Sequence, residues 1–538
     1  MRGDALTSPL ACEGCFRSQR RRIVATMAAL AFLGLVVGGL LVSLGYHLSE
    51  AGGMGRSPNT VPDDPARFLS HKAPLNVNLG GWFCLEDWFY SGDVGRYVST
   101  PDSIGQGACL PPALSGPLDQ PWPSEGVLTH RLLASHKASG TIDIFSQHRS
   151  TYITSSDLDD IASIGAEMLR LPITWAAFAD ALAPIDAATY GSHNPNTDVI
   201  IVPDPYYFNE TSLVTVPRNG LAQLLRDIAG RGMKVLLDVH AFPAGSSQGT
   251  YNGIYPHDPV FWKENSRIGN TSVSFTEAGH LIVSSLIHWV EGLDASARQG
   301  VGGITVMNEP AHLLAGEVDP EKVLHWLAVS ADIFRKSRLP ARGVKLYMNV
   351  IETAFDDFDA LVAPWWTETF TEAERNVWAV MDLHHYLAWT SECKGVVAET
   401  SLGGYKCSDA MSTIQSTLQS CLAPWAKHFA ETYSGLRAST EFSIGTNQDA
   451  WDACADTEVT GAFLTHQLGA LRTNHIEPFF WTWRMPYGPR FEAGWSFKRF
   501  AGLETEPASG SCKPVAAATQ VETLGLTPDA LGSQQVAV

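Results

Sequence analysis

The segment ITVMNEP, residues 304–310, begins like a buried β-strand and ends in three residues that are unusual inside a sheet. Ile304 to Met307 are apolar or β-branched, like most residues that favour strands. They are followed by an amide, a carboxylate and a proline, which has no backbone N–H for strand pairing. Because a buried carboxylate is costly unless it is paired or functional, the segment predicts a strand whose C-terminal end presents Asn308 and Glu309 for a chemical role.

Short apolar runs of the same strand character recur along the chain. The eight runs are 75–81, 167–173, 234–240, 303–308, 345–350, 377–386, 436–443 and 477–483. Helical patterns with caps fill most of the gaps, as in residues 156–166 and 219–233. Alternation of buried strands with helices predicts a parallel sheet. Eight repeats indicate an α/β fold of the (β/α)8 TIM-barrel type, although a doubly wound sheet would show the same local pattern.

The ends of the predicted strands favour the barrel, because a barrel collects its functional residues at the C-terminal ends of its strands. Polar or aromatic residues lie at or near seven of the eight ends. They are Trp82 and Glu86, Arg170, His240, Asn308 and Glu309, His384 and Tyr386, Glu441, and Trp481. Structural roles alone hardly explain so many coincidences, and we therefore expect a barrel with a functional site at its mouth.

Length and composition restrict the other possibilities. The 538 residues suffice for one barrel domain with appendages, and 56 acidic against 37 basic residues give a net charge of −19. This acidity, without a basic stripe in the body of the chain, argues against a nucleic-acid partner. No cluster has zinc-ligand spacing and no glycine-rich phosphate loop follows a strand, so the sequence implies no metal and no other cofactor. The oligomeric state stays open.

The N-terminal residues predict a membrane anchor. Arg17, Arg20, Arg21 and Arg22 precede residues 23–46, which carry no charge. A run of this length spans a bilayer as a helix, and the positive flank keeps the N-terminus in the cytoplasm. We therefore expect a type II single-pass membrane protein whose main domain is extracellular or lumenal. A long cleaved signal peptide is the alternative.

The chain is predicted to have five parts. We expect a cytoplasmic tail over residues 1–22, a transmembrane signal anchor over 23–46 and a Gly-, Pro-, Ser- and Asp-rich stalk over 47–70. The barrel domain is predicted over 71–512, and a low-complexity tail over 513–538.

Sequons and cysteines agree with a secretory location. Asn209 and Asn270 begin Asn-x-Ser/Thr triplets, which are glycosylation acceptors in secreted proteins. Cys12 and Cys15, on the predicted cytoplasmic side, are either palmitoylated or free thiols. An oxidising compartment favours disulfides among the other seven cysteines, but an odd number leaves at least one unpaired, and the pairing stays open. These seven are Cys84, Cys109, Cys393, Cys407, Cys421, Cys454 and Cys512.

Glu309 and Glu441 are the two carboxylates that we expect to carry the chemistry. Glycoside hydrolysis commonly uses two carboxyl groups that flank the bond, one protonated and one ionised. Glu309 follows an apolar strand and a neutral amide, which suits a protonated carboxyl, whereas Arg170 and Tyr386 are candidates to hold Glu441 ionised. The alternative is that Glu309 only begins a helix and Glu441 only forms a surface ion pair.

Several motifs resemble those of one enzyme family. They are NLGGWFCLEDW (78–88), LRLPITWAAF (169–178), VLLDVHAFPAGSSQGTYNG (235–253), MNEP (307–310), DLHHYLAW (382–389), STEFS (439–443) and FFWTWR (479–484). Together they resemble glycoside hydrolase family 5, and within it the exo-β-1,3-glucanases of fungal-type cell walls, over residues 74–500.

The resemblance implies a role for each motif residue. Glu309 would be the acid/base and Glu441 the nucleophile, with Asn308 bound to the sugar 2-hydroxyl. Pro310 would set the turn that directs Glu309, and Glu86 would bind hydroxyls of the non-reducing end, as in exo-acting members. The other residues that would line the substrate pocket are Arg170, His240, Asn252, His384, Tyr386 and Trp481.

Together with the anchor predicted from the N-terminal residues, this resemblance predicts a membrane-anchored, retaining, exo-acting glucan 1,3-β-glucosidase whose partner is a β-glucan or glucoside. Alternatives are a cell-wall glucan transglycosylase, a β-1,6-glucosidase and a non-catalytic glucan-binding protein. The chain departs from the family pattern in three places. STEFS replaces the usual Gly-Glu-Trp, Arg484 replaces a common lysine, and the loop over residues 90–141 is long. These departures leave the linkage specificity open.

Overall fold

A computed structural model describes residues 75–86, 89, 108–109, 124–311, 318–350, 355–386, 409–445, 457–485, 494–503 and 512–513. The predicted cytoplasmic tail, membrane anchor and stalk lie outside these ranges, as does nearly all of the predicted C-terminal tail. Within them, no helix combines the length and the hydropathy that are needed to cross a bilayer.

Eight parallel strands form a closed barrel in which each strand pairs with its sequence neighbours and the last pairs with the first. The strands are β1 (Asn76–Asn78), β2 (Met168–Thr174), β3 (Lys234–Ala241), β4 (Val301–Thr305), β5 (Lys345–Val350), β6 (Ala379–Leu383), β7 (Leu436–Phe442) and β8 (Ile476–Phe480). Each overlaps one of the predicted runs. Closure confirms the predicted barrel and excludes the doubly wound sheet.

Helices follow most strands and form the outer layer. They are α1 (Glu125–Thr151), α2 (Ser155–Ser163), α3 (Ala187–Tyr190), α4 (Arg218–Ala229), α5 (Phe275–Gly292), α6 (Ala295–Gln299), α7 (Pro320–Arg335), α8 (Phe355–Thr369), α9 (Glu372–Val377), α10 (Met411–Thr432), α11 (Thr457–Thr473) and α12 (Phe497–Phe500). The two helices predicted from caps and spacing correspond to α2 and α4. Thr154 and Asp157 form the capping box that begins α2, because each side chain accepts a backbone N–H that would otherwise be unpaired.

Helix α1 corrects the prediction of a loop over residues 90–141, since the residues from Glu125 onward are helical. The Pro-rich composition that indicates a loop ends before residue 124, and no proline occurs in α1. The helix is interrupted at Lys137, where φ is 60°. Its buried residues Leu128, Leu132 and Phe145 belong to an apolar cluster with Trp481 and other residues of the barrel mouth. Helix α1 therefore packs over the C-terminal ends of the strands.

A close backbone contact attaches the start of α1 to the loop after β3. The Gly126 N–H donates to the Gly253 carbonyl at 3.0 Å. A Cβ at residue 126 would lie 2.1 Å from that carbonyl oxygen, so only glycine allows the approach. An isolated bridge pairs Glu86 with Ser124 on the same side of the barrel. These contacts hold the segment that carries Glu86 beside the barrel mouth.

The lower part of the barrel interior is filled. Six strands contribute one buried side chain each to a cluster of Met168, Leu236, Tyr347, Val380, Ala438 and Phe479. Below it, the Glu477 carboxylate accepts hydrogen bonds from the Tyr347 hydroxyl at 2.8 Å and from the Asn76 amide at 3.1 Å. The interior is therefore a packed core, and the site lies at the C-terminal ends of the strands.

The described cysteines include one free thiol and one that is disulfide-bonded. Cys84 is buried and free, so at least one of the seven is unpaired, as predicted. Cys421 is disulfide-bonded. Two short strands outside the barrel, Ala108–Cys109 and Cys512–Lys513, pair antiparallel with Cys109 opposite Cys512. The second of them extends one residue beyond the predicted end of the barrel domain. The predictions for Cys12, Cys15, Cys393, Cys407 and Cys454 lie outside the described residues.

Candidate active site

The two predicted carboxylates lie close together at the barrel mouth. Glu309 follows β4 and Glu441 lies in β7, and their exposed fractions are 6% and 4%. His384, just after β6, lies between them: its Nδ1 is 2.7 Å from Oε1 of Glu309 and 3.4 Å from Oε2 of Glu441. One oxygen of each carboxylate and one nitrogen of His384 lie within 4.8 Å of one another. The barrel thus brings together two glutamates that are far apart in sequence.

The backbone around Glu309 explains why the strand ends on Asn-Glu-Pro. The Asn308 N–H still donates to the Val239 carbonyl of β3 at 3.0 Å, so Asn308 keeps the sheet pairing. Glu309 has a φ of 33°, in the left-handed region that L-residues rarely adopt. Its N–H leaves the sheet and donates to Oδ1 of Asn349, on β5, at 2.7 Å. The chain turns at this residue, and Pro310 follows without an N–H that would need a partner.

Two donors hold the carboxylate of Glu441. Arg170 Nη1 donates to Oε1 at 2.5 Å, and the Tyr386 hydroxyl donates to Oε2 at 2.6 Å. Burial raises the pKa of Glu441 above its ordinary value, although the charges of His384 and Arg170 act in the opposite direction. Burial and the charge of Glu441 raise the pKa of Tyr386 well above its ordinary value, so the phenol keeps its proton. Because both partners donate, the geometry holds Glu441 as an acceptor with a fixed orientation.

Arg170 is the centre of this network. Its guanidinium also donates to Oδ1 of Asn78 at 3.0 Å and to Oδ1 of Asn308 at 2.6 Å, and Asp238 Oδ2 lies 3.0 Å from Nη2. Burial acts to lower the pKa of Arg170, but the charges of Asp238 and Glu441 raise it above its ordinary value. The arginine is therefore a permanent cation between two carboxylates. Because Oδ1 of Asn308 accepts from Arg170, the predicted contact with a sugar hydroxyl would be made by the amide nitrogen of Asn308. That contact stays a prediction.

His240 links Asp238 to the predicted exo-site carboxylate. Its Nδ1 lies 2.6 Å from Asp238 Oδ2, and its Nε2 lies 3.5 Å from Glu86 Oε1. Burial lowers the pKa of His240, but the charges of Asp238 and Glu86 outweigh it and raise that pKa to about 10. The imidazole is therefore a cation that faces a carboxylate on each side. Sequence reasoning missed Asp238, although its spacing of two residues from His240 puts both side chains on the inner face of β3.

Trp481 forms one wall of the same pocket. Its ring stacks on the imidazole of His240, with centroids 5.7 Å apart and an interplanar angle of 5°. The Arg170 guanidinium lies 5.9 Å from its ring centroid, and Phe89 packs against it edge-on. An aromatic face along one wall of a pocket of charged groups is suited to a sugar ring, which has both C–H faces and hydroxyls.

Asn252 differs from the other predicted residues, because its side chain is used within its own loop. Nδ2 donates to the Ser247 carbonyl at 2.6 Å, and Oδ1 accepts the N–H groups of Ile254 and Tyr255, both at 2.8 Å. This amide stabilises the loop after β3, and a contact with substrate stays a prediction. Its neighbour Tyr251, which the sequence did not indicate, packs edge-on to His240 at 5.5 Å.

His384 has a second set of contacts on its other ring nitrogen. Nε2 lies 3.1 Å from Oγ1 of Thr440, and that hydroxyl donates to Oδ2 of Asp382 at 2.5 Å. Burial lowers the pKa of His384, but the charges of Glu441 and Glu309 outweigh it and raise that pKa above the ordinary value. Neither Thr440 nor Asp382 was predicted as a site residue. Only the spacing of two between Asp382 and His384 indicates that they share a face of the strand.

Glu309, His384 and Glu441 are also the residues that could ligate a metal ion, and they are the only such group in the described part of the chain. The Glu441 carboxylate already accepts bonds from Arg170 and Tyr386, one on each oxygen. A divalent cation would have to compete with a fixed guanidinium for this carboxylate. The arrangement therefore suits proton transfer and nucleophilic attack better than metal binding, and the absence of a cofactor stays a prediction.

Comparisons with known proteins place similar chains among the glycoside hydrolases. No family model matches the chain. Among curated proteins, "Probable glucan 1,3-beta-glucosidase A" of Aspergillus niger is 24% identical over 457 residues, which cover 80% of this chain and 87% of the relative. A glucan 1,3-beta-glucosidase of Blumeria graminis is 22% identical over 452 residues, which cover 80% and 86%. These relatives confirm the predicted resemblance.

Solved structures that are similar to the chain include a rutinosidase from Aspergillus niger, with a TM-score of 0.47 and 15% identity over 81% of this chain and 98% of that one. A "GH5-4 broad specificity endoglucanase" from Clostridium acetobutylicum has a TM-score of 0.36 and 12% identity over 65% of this chain and 88% of that one.

Proposed function

We propose that this chain, a glycoside hydrolase related to the fungal glucan 1,3-beta-glucosidases, is a retaining, exo-acting β-glucan hydrolase that releases glucose from β-1,3-linked chains. The observation that carries the proposal is the pair of buried carboxylates, Glu309 and Glu441, that contact the same nitrogen of His384. Their nearest oxygens lie within 4.8 Å. Retaining enzymes hold their carboxyl groups about 5–5.5 Å apart, whereas inverting enzymes leave about 6.5–9.5 Å for a water molecule.

The different surroundings of the two carboxylates support different roles. Glu441, held by Arg170 and Tyr386, attacks the anomeric carbon, and the glycosidic C–O bond breaks as the ester bond to Glu441 forms. Glu309 gives its proton to the departing oxygen, so the shortened glucan leaves as an alcohol. In the second half, Glu309 accepts a proton from water, whose oxygen displaces Glu441 and releases glucose with its original β configuration.

The exo action is supported by the groups around Glu86. This buried carboxylate lies beside the cationic His240, and the start of α1 covers the same side of the barrel mouth through the Glu86–Ser124 bridge. A carboxylate can accept two hydroxyl hydrogens from a terminal sugar ring. In an internal sugar, one of those hydroxyl oxygens is in the glycosidic bond. A pocket of this kind therefore selects a chain end.

A time course of laminarin hydrolysis tests the proposal. We expect glucose as the sole early product, and NMR of the first minutes should show the β-anomer before mutarotation. A β-1,6-glucan and a reaction with added acceptor oligosaccharide serve as controls for linkage and for transfer. Early tri- and tetrasaccharides would mean an open cleft and an endo enzyme. Faster release from the β-1,6-glucan, or longer glucans with acceptor, would replace the proposal by one of the two alternative activities.

We also propose that residues 23–46 anchor the enzyme in the membrane with the barrel on the lumenal or extracellular side. The support is the uncharged run itself, the four preceding arginines and two exposed sequon residues, Asn209 and Asn270. Peptide-N-glycosidase should lower the apparent mass of native material. Protease added to intact microsomes should remove only the N-terminal tail, and digestion of the barrel under the same conditions would contradict this orientation.

A further inference from the structure

Thr440, the residue before Glu441, bridges two groups that do not contact each other directly. Its side chain is fully buried. The hydroxyl oxygen lies 2.5 Å from Oδ2 of Asp382 and 3.1 Å from Nε2 of His384. The direct distance from Nε2 to Oδ2 is 3.9 Å, beyond hydrogen-bond length. The hydroxyl therefore mediates any coupling between this carboxylate and this imidazole.

The proton positions in this bridge follow from the donors around Asp382. Its carboxylate accepts the Thr440 N–H at 2.9 Å and the Asn349 amide at 3.0 Å, in addition to the Thr440 hydroxyl. An ionised carboxylate only accepts, and a hydroxyl has a single hydrogen to donate. That hydrogen is directed to Asp382, at the shorter distance. The free lone pair of Thr440 Oγ1 then requires a hydrogen on Nε2 of His384.

This assignment determines what the other ring nitrogen can do. With a hydrogen on Nε2, a neutral His384 has a bare lone pair on Nδ1, and that atom lies 2.7 Å from Oε1 of Glu309. Two lone pairs at this distance repel each other, whereas one proton between them makes a short hydrogen bond. The pair therefore keeps a proton, either on the glutamate or on the imidazole.

We propose that Thr440 is a positioning residue that fixes the Nε2–H form of His384 and thereby keeps a transferable proton on the Glu309–His384 pair. The inference rests on the proposed function, because the proton is the one that Glu309 delivers to the leaving oxygen.

The charged groups around His384 are consistent with a retained proton. The carboxylate of Glu309 faces it from the end of β4, that of Glu441 from β7, and that of Asp382 from its own strand. Two cations act on the neighbouring Glu441, the guanidinium of Arg170 on β2 and the imidazole of His240 on β3. The tyrosines on this side stay neutral, since burial raises the pKa values of Tyr251 and Tyr386 well above their ordinary range. Three carboxylates thus lie close to the ring.

Thr440→Val tests the role of the hydroxyl, because valine keeps the shape and removes the bridge. The imidazole is then free to carry its hydrogen on Nδ1 and to donate it to an ionised Glu309, so the acidic proton leaves at lower pH. We expect the alkaline limb of the kcat/KM profile for aryl β-glucosides to move down by about one pH unit. On the alkaline side of the profile, substrates with poor leaving groups should therefore lose up to about 10-fold in kcat/KM, and dinitrophenyl glucoside far less. Thr440→Ser should restore both properties.

The matched control is Thr305→Val. Thr305 is an equally buried threonine on β4 whose hydroxyl has no hydrogen-bond partner among the described residues. Its replacement should leave the pH profile and the leaving-group dependence unchanged. If Thr440→Val does not fold, Thr440→Ala takes its place, because alanine also lacks the hydroxyl and is smaller than threonine.

These outcomes distinguish the role of Thr440 from the proposed hydrolase function. A Thr440→Val enzyme with the pH profile and leaving-group dependence of Thr305→Val would overturn the role of Thr440 while leaving the hydrolase intact. A wild-type chain that hydrolyses no β-glucoside, or a Glu309→Ala variant that is fully active, would instead overturn the proposed function.

Discussion

Replacement of Glu441 by glutamine is expected to lower kcat on laminarin by at least about 10⁴-fold, as is typical when a covalent nucleophile is removed. The substitution removes a charge but almost no volume. An amide has no anionic oxygen to attack the anomeric carbon, so the glycosyl ester does not form. Arg170 and Tyr386 donate to this side chain at 2.5 and 2.6 Å and cannot supply a nucleophile in its place. Glucose release and single-turnover kinetics measure the loss.

Glu477→Gln is the control for this variant. It makes the same chemical change at the opposite end of the barrel interior, where the carboxylate accepts bonds from Tyr347 and Asn76. Its kcat should stay near the wild-type value, and only the thermal stability should decrease. Comparable losses of kcat in the two variants would mean that the barrel and not the nucleophile is damaged. Near-normal turnover by Glu441→Gln would remove the basis of the proposed mechanism.

Replacement of Glu309 by alanine should produce a loss that depends on the substrate. On laminarin, whose leaving group is an alkoxide without acid assistance, we expect kcat/KM to fall by about 10²- to 10⁴-fold. On dinitrophenyl β-glucoside, kcat/KM should fall much less, because this leaving group departs without a proton. The glycosyl-enzyme should then accumulate, since Glu309 is also the base that activates water in the second half of the reaction.

Azide gives this variant a distinctive result. The small anion needs no base and enters the space left by the Glu309 carboxylate. It should restore turnover of dinitrophenyl β-glucoside and yield β-glucosyl azide, because the second displacement inverts the intermediate on Glu441. The α-azide as product would mean that the two glutamates have the opposite roles. No azide product, with equal losses on all substrates, would mean that Glu309 acts neither as acid nor as base.

The barrel and the positions of the main site residues were accessible from sequence for the same reason. Buried parallel strands are nearly continuous apolar runs, so the change to Asn308 and Glu309 after β4 is conspicuous. In a closed barrel all C-terminal strand ends meet, so each polar residue at such an end is brought to one place by topology alone. Identification of Glu441 as a partner of Glu309 rested on this rule together with the resemblance of the motifs around both residues, and needed no knowledge of distances.

The contacts that adjust the chemistry were not accessible in this way. Side-chain contacts between different strands are made by Asn78, Asp238 and Thr440, and Asp238 also contacts His240 on its own strand. The hydropathy pattern does not specify which polar side chains will face each other. Thr440 is the clearest case, because a threonine in a strand is usual, and only the distances to Asp382 and His384 distinguish it. Helix α1 was missed because the Pro- and Gly-rich residues before it dominated the composition of the segment.

The filled lower part of the barrel has a consequence for how the enzyme works through a polymer. In the described part of the chain, the layer that includes Tyr347 and Phe479 closes the pocket opposite its mouth, so substrate enters and product leaves on the mouth side. In the proposed reaction, the released glucose lies deeper than the remaining chain and blocks further advance of that chain. The polymer must therefore dissociate before the monosaccharide can escape. Such an enzyme is distributive: it removes one sugar per encounter, and free glucose competes directly with the next chain end.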